Sequence, residues 1–110
     1  MKENCRSARK KGDNLRSIEK LRSEFDGKLY LFSNDQEIGE RLLNDAEKEG
    51  YLFGKVKPSE KQWSDMIAVN KDKTISYVGI IGRIAYQTGE ATGIDYKKYV
   101  SGEDDYMWEK

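Results

Sequence analysis

Twenty lysines and arginines face twenty carboxylates in this chain, and it has no histidine. Without imidazole it lacks the commonest general base near neutral pH, any Ser-His or Cys-His nucleophile pair and the commonest transition-metal ligand. The single cysteine, Cys5, excludes an intramolecular disulfide and leaves a zinc site with one thiolate, so no metal and no cofactor is expected. Paired carboxylates of the glycosidase kind could be drawn from Asp65, Asp72, Asp95 and many glutamates. In so acidic a set, most are read as solvent-facing charges. There is no P-loop glycine run and no GxGxxG after a strand. Gly79-Ile80-Ile81-Gly82 before Arg83 has the GxxG shape that clamps a nucleic-acid backbone in KH domains. Here the two central residues are isoleucines and the element follows a hairpin, so glycines that let backbones approach are the simpler reading. An enzyme is not expected.

Binding chemistry is better represented. Trp63, Arg83, Tyr86 and Tyr99 are the side chains of a protein interface, with the basic residues Arg6, Arg9, Lys10 and Lys11 steering a partner's approach. Alternatively, Tyr77, Arg83, Tyr96 and Lys98 are the types that stack a base and hold its phosphate, so they are the candidates for a nucleotide or nucleic acid. The formal net charge is zero, so the whole protein has no polyanion-seeking field. The balance hides a polarity: Lys2, Arg6, Arg9, Lys10 and Lys11 open the chain, and Glu103, Asp104, Asp105 and Glu109 close it.

These residues must be carried by one domain, because 110 residues build a single modest core. Charged residues make up 36%, which implies a heavily charged surface, while 11% aromatics argue for a folded chain. The expected division is a basic arm over 1–12, a domain over 13–100 and an acidic tail over 101–110. Leu15, Ile18, Leu21 and Phe25 predict a helix capped by Asp13 or Asn14 and ended by Gly27. KLYLFS, Lys28 to Ser33, predicts a central strand covered on both faces. A capping signal at Ser33, Asn34 or Asp35 then opens a helix over Ile38, Leu42, Leu43 and Ala46, closed by Gly50. Gly39 inside it points to close packing against a neighbour or to a tolerated imperfection. Tyr51 to Asp65 is a connection with a short strand at YLFG.

Met66 to Gly79, MIAVNKDKTISYVG, is the firmest element: a β-hairpin whose glycine-free turn calls for a loop of three to five residues. A short helix over Gly79 to Gln87, a turn marked by Gly89 and Gly93, and a closing strand over Ile94 to Val100 follow. Tyr106, Met107 and Trp108 are candidate anchors in the tail. The fold class is α+β, a mixed sheet with two to three helices on one face and the first strand parallel to its neighbour. Homo-oligomerisation is open. With neither a membrane-length apolar run nor a signal-peptide core, a cytoplasmic protein that does not enter a membrane is expected.

AEKEGYLFG (Ala46 to Gly54), Lys57-Pro58, MIAVNKDKTISYVG and IDYKKYVSG (Ile94 to Gly102) together resemble small uncharacterised accessory proteins of phages, prophages and mobile elements of Firmicutes. The resemblance covers about residues 28–102. Such relatives often place a histidine after the glycine where this chain has Gly82-Arg83, so a histidine-based role does not carry over. The resemblance implies a phage-encoded inhibitor of a host defence or regulatory protein, of the anti-CRISPR kind, with a host protein as partner. The alternative is an oligomeric sponge for a nucleotide signal or nucleic acid.

Overall fold

The computed structural model describes residues 16–108. The basic arm with Arg6, Arg9, Lys10 and Lys11, the candidate caps Asp13 and Asn14, and the final two residues lie outside this range. Helix α1 (Ile18–Glu24) is opened by Ser17, whose hydroxyl accepts the Lys20 amide at 3.0 Å, so the cap is Ser17 rather than Asp13 or Asn14. The amides of Ile18 and Glu19 donate to the two carboxylate oxygens of Glu49 at 2.9 and 2.8 Å. A side chain from another element thus satisfies donors that a helix leaves unpaired.

Strand β1 (Lys28–Phe32) alternates Leu29 and Leu31 against Tyr30 and Phe32, all four buried, as a strand covered on both faces requires. Helix α2 (Gln36–Lys48) starts at Asp35, which accepts the Ile38 amide at 2.9 Å. It ends before Gly50, at φ 90°. Gly39 is where Trp63 lies against α2: a Cβ there would stand 2.7 Å from a ring carbon. The glycine is therefore the condition for close packing rather than an imperfection. Strand β2 is Leu52–Phe53, and the hairpin is β3 (Met66–Val69) and β4 (Thr74–Tyr77), joined by the four residues 70–73. Helix α3 (Ile80–Gln87), strand β5 (Ala91–Asp95) and helix α4 (Tyr96–Val100) follow.

The strands form one five-stranded mixed sheet in the order β2-β4-β3-β1-β5, giving an α+β domain with four α-helices among the described residues. β1 is antiparallel to β3 and parallel to β5, not parallel to the hairpin as expected. The reason lies in the route of the chain. The crossover through α2 delivers β2 to the far edge, beside β4, and the connection of residues 54–65 then sends β3 back in the opposite direction.

The two parallel crossovers, β1-α2-β2 and β4-α3-β5, step across the sheet in opposite directions. If each is right-handed, as such connections nearly always are, their helices lie on opposite faces. The core divides in that way, correcting the expectation of helices on one face only. Leu29, Leu31, Ile67, Ile75 and Ile94 meet α1, α2 and α4 through Leu21, Leu42, Ala46 and Tyr96. Tyr30, Phe32, Met66 and Val78 meet Tyr86 of α3.

Residues Ile94 to Val100 are not one strand: Ile94 and Asp95 end β5, and Tyr96 to Val100 are helical. β5 ends at Asp95, whose carboxylate accepts the Lys98 amide at 3.2 Å and caps α4. Gly93 belongs to β5, where a Cβ would stand 2.6 Å from Tyr86 and 2.9 Å from Phe32. The segment expected as an acidic tail is part of the domain as far as Trp108. The Asp95 backbone amide donates to the Tyr106 carbonyl at 2.7 Å and the Trp108 backbone amide to that of Gly93 at 2.9 Å. The indole stacks on Phe32 at 4.6 Å between ring centroids. The returning chain thereby pairs the outer edge of β5, which would otherwise present open backbone groups.

Candidate functional site

The expected aromatic contacts are for the most part structural. Tyr99 is 3% exposed and donates its hydroxyl to the Ser17 carbonyl at 2.9 Å, tying α4 to the start of α1. Tyr96 is 1% exposed and donates to Asp45 at 2.6 Å. Burial pushes both phenols well above their ordinary range, and the Asp45 hydrogen bond raises Tyr96 further. Arg16 covers this cluster, 5.3 Å from the Tyr99 ring centroid and 5.4 Å from that of Tyr106. Tyr86 is buried under α3 and donates to the Trp108 carbonyl at 3.0 Å. Trp63 is half-buried against Gly39.

The four candidates for a nucleotide site do not converge. Tyr77 turns toward Phe53, its hydroxyl donating to the Gln62 carbonyl at 2.7 Å. Tyr96 lies in the core beneath α2, while Arg83 is on α3 across the sheet. Lys98 sits on α4, beside Asp95, Asn34 and Trp108. The sheet separates Arg83 from Tyr96, while Lys98 is on the helix that carries Tyr96, so the four do not form the pocket drawn from them.

Of the expected contacts, Tyr77 is 45% exposed, and Arg83 also reaches the surface. Its guanidinium makes a two-pronged contact with Asp65, 2.9 Å from Nη2 to Oδ1 and 3.3 Å from Nη1 to Oδ2. The hydrogen bond from Arg83 holds the Asp65 carboxyl below its ordinary value and raises the guanidinium's own. The side chains beside it are the main finding. Ile80, Ile81 and Ile84 are 79%, 82% and 52% exposed. Ile80 and Ile84 are neighbours one turn apart, and Ile81 and Ile84 are neighbours three residues apart, so the three make one continuous apolar face.

Helix α3 owes this to its composition. Gly82, Ala85 and Tyr86 form the side that meets the sheet, and the opposite side, where a surface helix carries charges, holds isoleucines. These three residues were absent from the expected contacts. The signal was present: in IIGRIAYQ only Arg83 and Gln87 are strongly polar, too few for a wet face.

Among the described residues no group of three or more carboxylate or thiol side chains is placed to hold a metal ion, and no helix is long and apolar enough to cross a membrane. Fold and surface together define a small α+β domain with one open helix face. No protein-family model matches the chain, and searches of curated proteins and of solved structures return no significant match.

Proposed function

We propose that the protein is a non-enzymatic binder that covers a surface of another protein with the outward face of α3. The observation that carries this reading is the exposure of Ile80, Ile81 and Ile84 on one helix. Burying an isoleucine side chain contributes about 1.5–3 kcal/mol, which this fold leaves unrealised at adjacent positions. A contiguous exposed apolar face of this kind marks an interaction site. A partner that takes an amphipathic helix into an apolar groove recovers that energy.

A second copy of the chain is a poor occupant. Three isoleucines from each of two facing helices bury on the order of 800 Å², short of the roughly 1,200 Å² of a stable interface. A different protein whose groove wraps α3 supplies the missing area. Arg83, oriented by Asp65, stands at the rim of that contact, where a fixed guanidinium selects partners more than it adds affinity. The resemblance to phage accessory proteins gives the partner its class, a cytoplasmic host defence or regulatory protein disabled by occlusion.

The test is capture from host lysate by the full chain and by Ile80→Lys/Ile81→Lys, with the affinity of the recovered partner then measured for both. The account expects the double variant to keep its melting temperature and to bind at least about 100-fold more weakly. Equal affinity of the two forms for the same partner contradicts it.

A further inference from the structure

On the α3 side of the sheet, Tyr30, Ala68 and Ser76 lie in register across three adjacent strands. Ala68 and Ser76 are too small to fill the space above them, and α3 stands to one side with Gly79 and Gly82 at its start. The result is a groove of about 320 Å³. This is the low end of the range for small-molecule sites, roughly 300–1,000 Å³.

The charges at this groove have one sign. Lys28, Lys71 and Arg22 line it and no carboxylate does, in a chain with as many acids as bases. None of the three forms an ion pair among the described residues. Arg22 donates to the carbonyls of Val69, Phe25 and Gly27, each at 2.6 Å, which fixes its guanidinium but leaves the charge unmatched. Its Nε is buried without a hydrogen-bond partner.

The groove also collects unused donors. Tyr30 is 95% buried, yet its hydroxyl has no hydrogen-bond partner among the described residues and lies next to Gly82, 3.1 Å from where a Cβ would be. The oxygen is not sealed in the core and can be reached from the groove. Gly79, the N-cap of α3, offers no side chain to the first amides of the helix. A helix N-terminus with free amides is a ready anion site.

We propose that this groove binds a small organic phosphate. The phosphoryl group takes the α3 amides and the Tyr30 hydroxyl, with Lys28 and Lys71 closing over it. The organic body rests on Ala68 and Val78. A phosphate fits better than a carboxylate because a tetrahedral dianion uses more donors at once than a planar monoanion. Gly82 is then needed for access as well as for packing: a Cβ there would press on the Tyr30 hydroxyl and stand 2.7 Å from Val78. The site does not depend on the isoleucine face, and charging Ile80 and Ile81 leaves its lining intact.

The test is an NMR titration of the ¹⁵N-labelled full chain in chloride buffer with inorganic phosphate, AMP and adenosine, each to millimolar concentration. Phosphate and AMP are expected to move the amide signals of Ile80, Ile81 and Gly82, with AMP the tighter and adenosine the weakest. Tyr30→Phe, which keeps the ring, should weaken AMP about fivefold. Lys28→Ala/Lys71→Ala, at two exposed positions, should weaken it about tenfold or more, with the difference shrinking as salt rises. Amide signals that stay still, shifts confined to other basic surfaces, or saturation unchanged in both variants overturn the site. Equal affinity for phosphate and AMP overturns the organic half of the proposal.

Discussion

The two faces of the sheet are finished to different degrees. Beneath α1, α2 and α4, polar groups are matched apart from Arg22 Nε: Tyr96 to Asp45, Tyr99 to Ser17, the first amides of α1 to Glu49. Beneath α3, the Tyr30 hydroxyl and the first turn of the helix are unmatched, and three isoleucines point outward. Geometry explains part of the contrast. Eight residues of α-helix span about 12 Å, whereas five strands span about 19 Å, so a single short helix cannot roof a whole face. Stability is concentrated where three helices pack, and the other face keeps its isoleucines exposed.

That contrast predicts unequal responses to substitution. Leu42→Ala, in the matched face, should cost about 2–5 kcal/mol in urea unfolding, whereas Ile81→Ala should stay within about 0.5 kcal/mol. Equal costs would erase the distinction between the faces. Gly39→Ala should destabilise by about 1–3 kcal/mol although alanine is the better helix former, because its Cβ must displace the Trp63 ring. A gain in melting temperature would show that Trp63 can move aside.

Alkali should also act on the matched face. The folded-state values of Tyr96 and Tyr99 are raised by burial, while unfolded phenols ionise near pH 10. Their contribution is therefore complete below about pH 10 and is lost as pH rises from there toward the folded values. Tyrosinate absorbance should rise first for exposed phenols and then with cooperative unfolding. A single smooth titration without unfolding would contradict the burial. The smallest effect belongs to Arg83 and Asp65, both well exposed: Arg83→Ala should cost no more than about 1 kcal/mol. Asp65 is depressed, so its share of stability is present above its ordinary value of 3.8 and lost as pH falls through the folded one. That acid step should vanish in Arg83→Ala.

How much could be read beforehand follows from how local each signal is. The hairpin was legible because alternation and turn chemistry lie within fourteen residues, and its loop is four residues long, with Lys73 taking the left-handed conformation at φ 69°. The caps and stripe of α2 were legible for the same reason. Ile94 to Val100 was not, because Tyr96, Tyr99 and Val100 satisfy a helical spacing while Ile94, Tyr96, Lys98 and Val100 satisfy an alternating one. Asp95 as a cap decides between them, and its role shows only when β5 is seen to end there.

The candidate site was less legible. A tyrosine among charges is contact or core according to which helix lies opposite, and for Tyr86, Tyr96 and Tyr99 the tertiary packing chose core. Nor did apolar residues around α3 announce exposure, since the same pattern describes a helix buried on every side.

The central claim is that α3 rather than α2 faces the partner, and site-specific photocrosslinking in host cells tests it most directly. A benzophenone side chain is placed at Ile81 in one form and at Glu40, exposed on α2, in another. The account predicts one discrete crosslinked partner from position 81 and none from position 40. Crosslinking to that partner from position 40 with position 81 silent would contradict it.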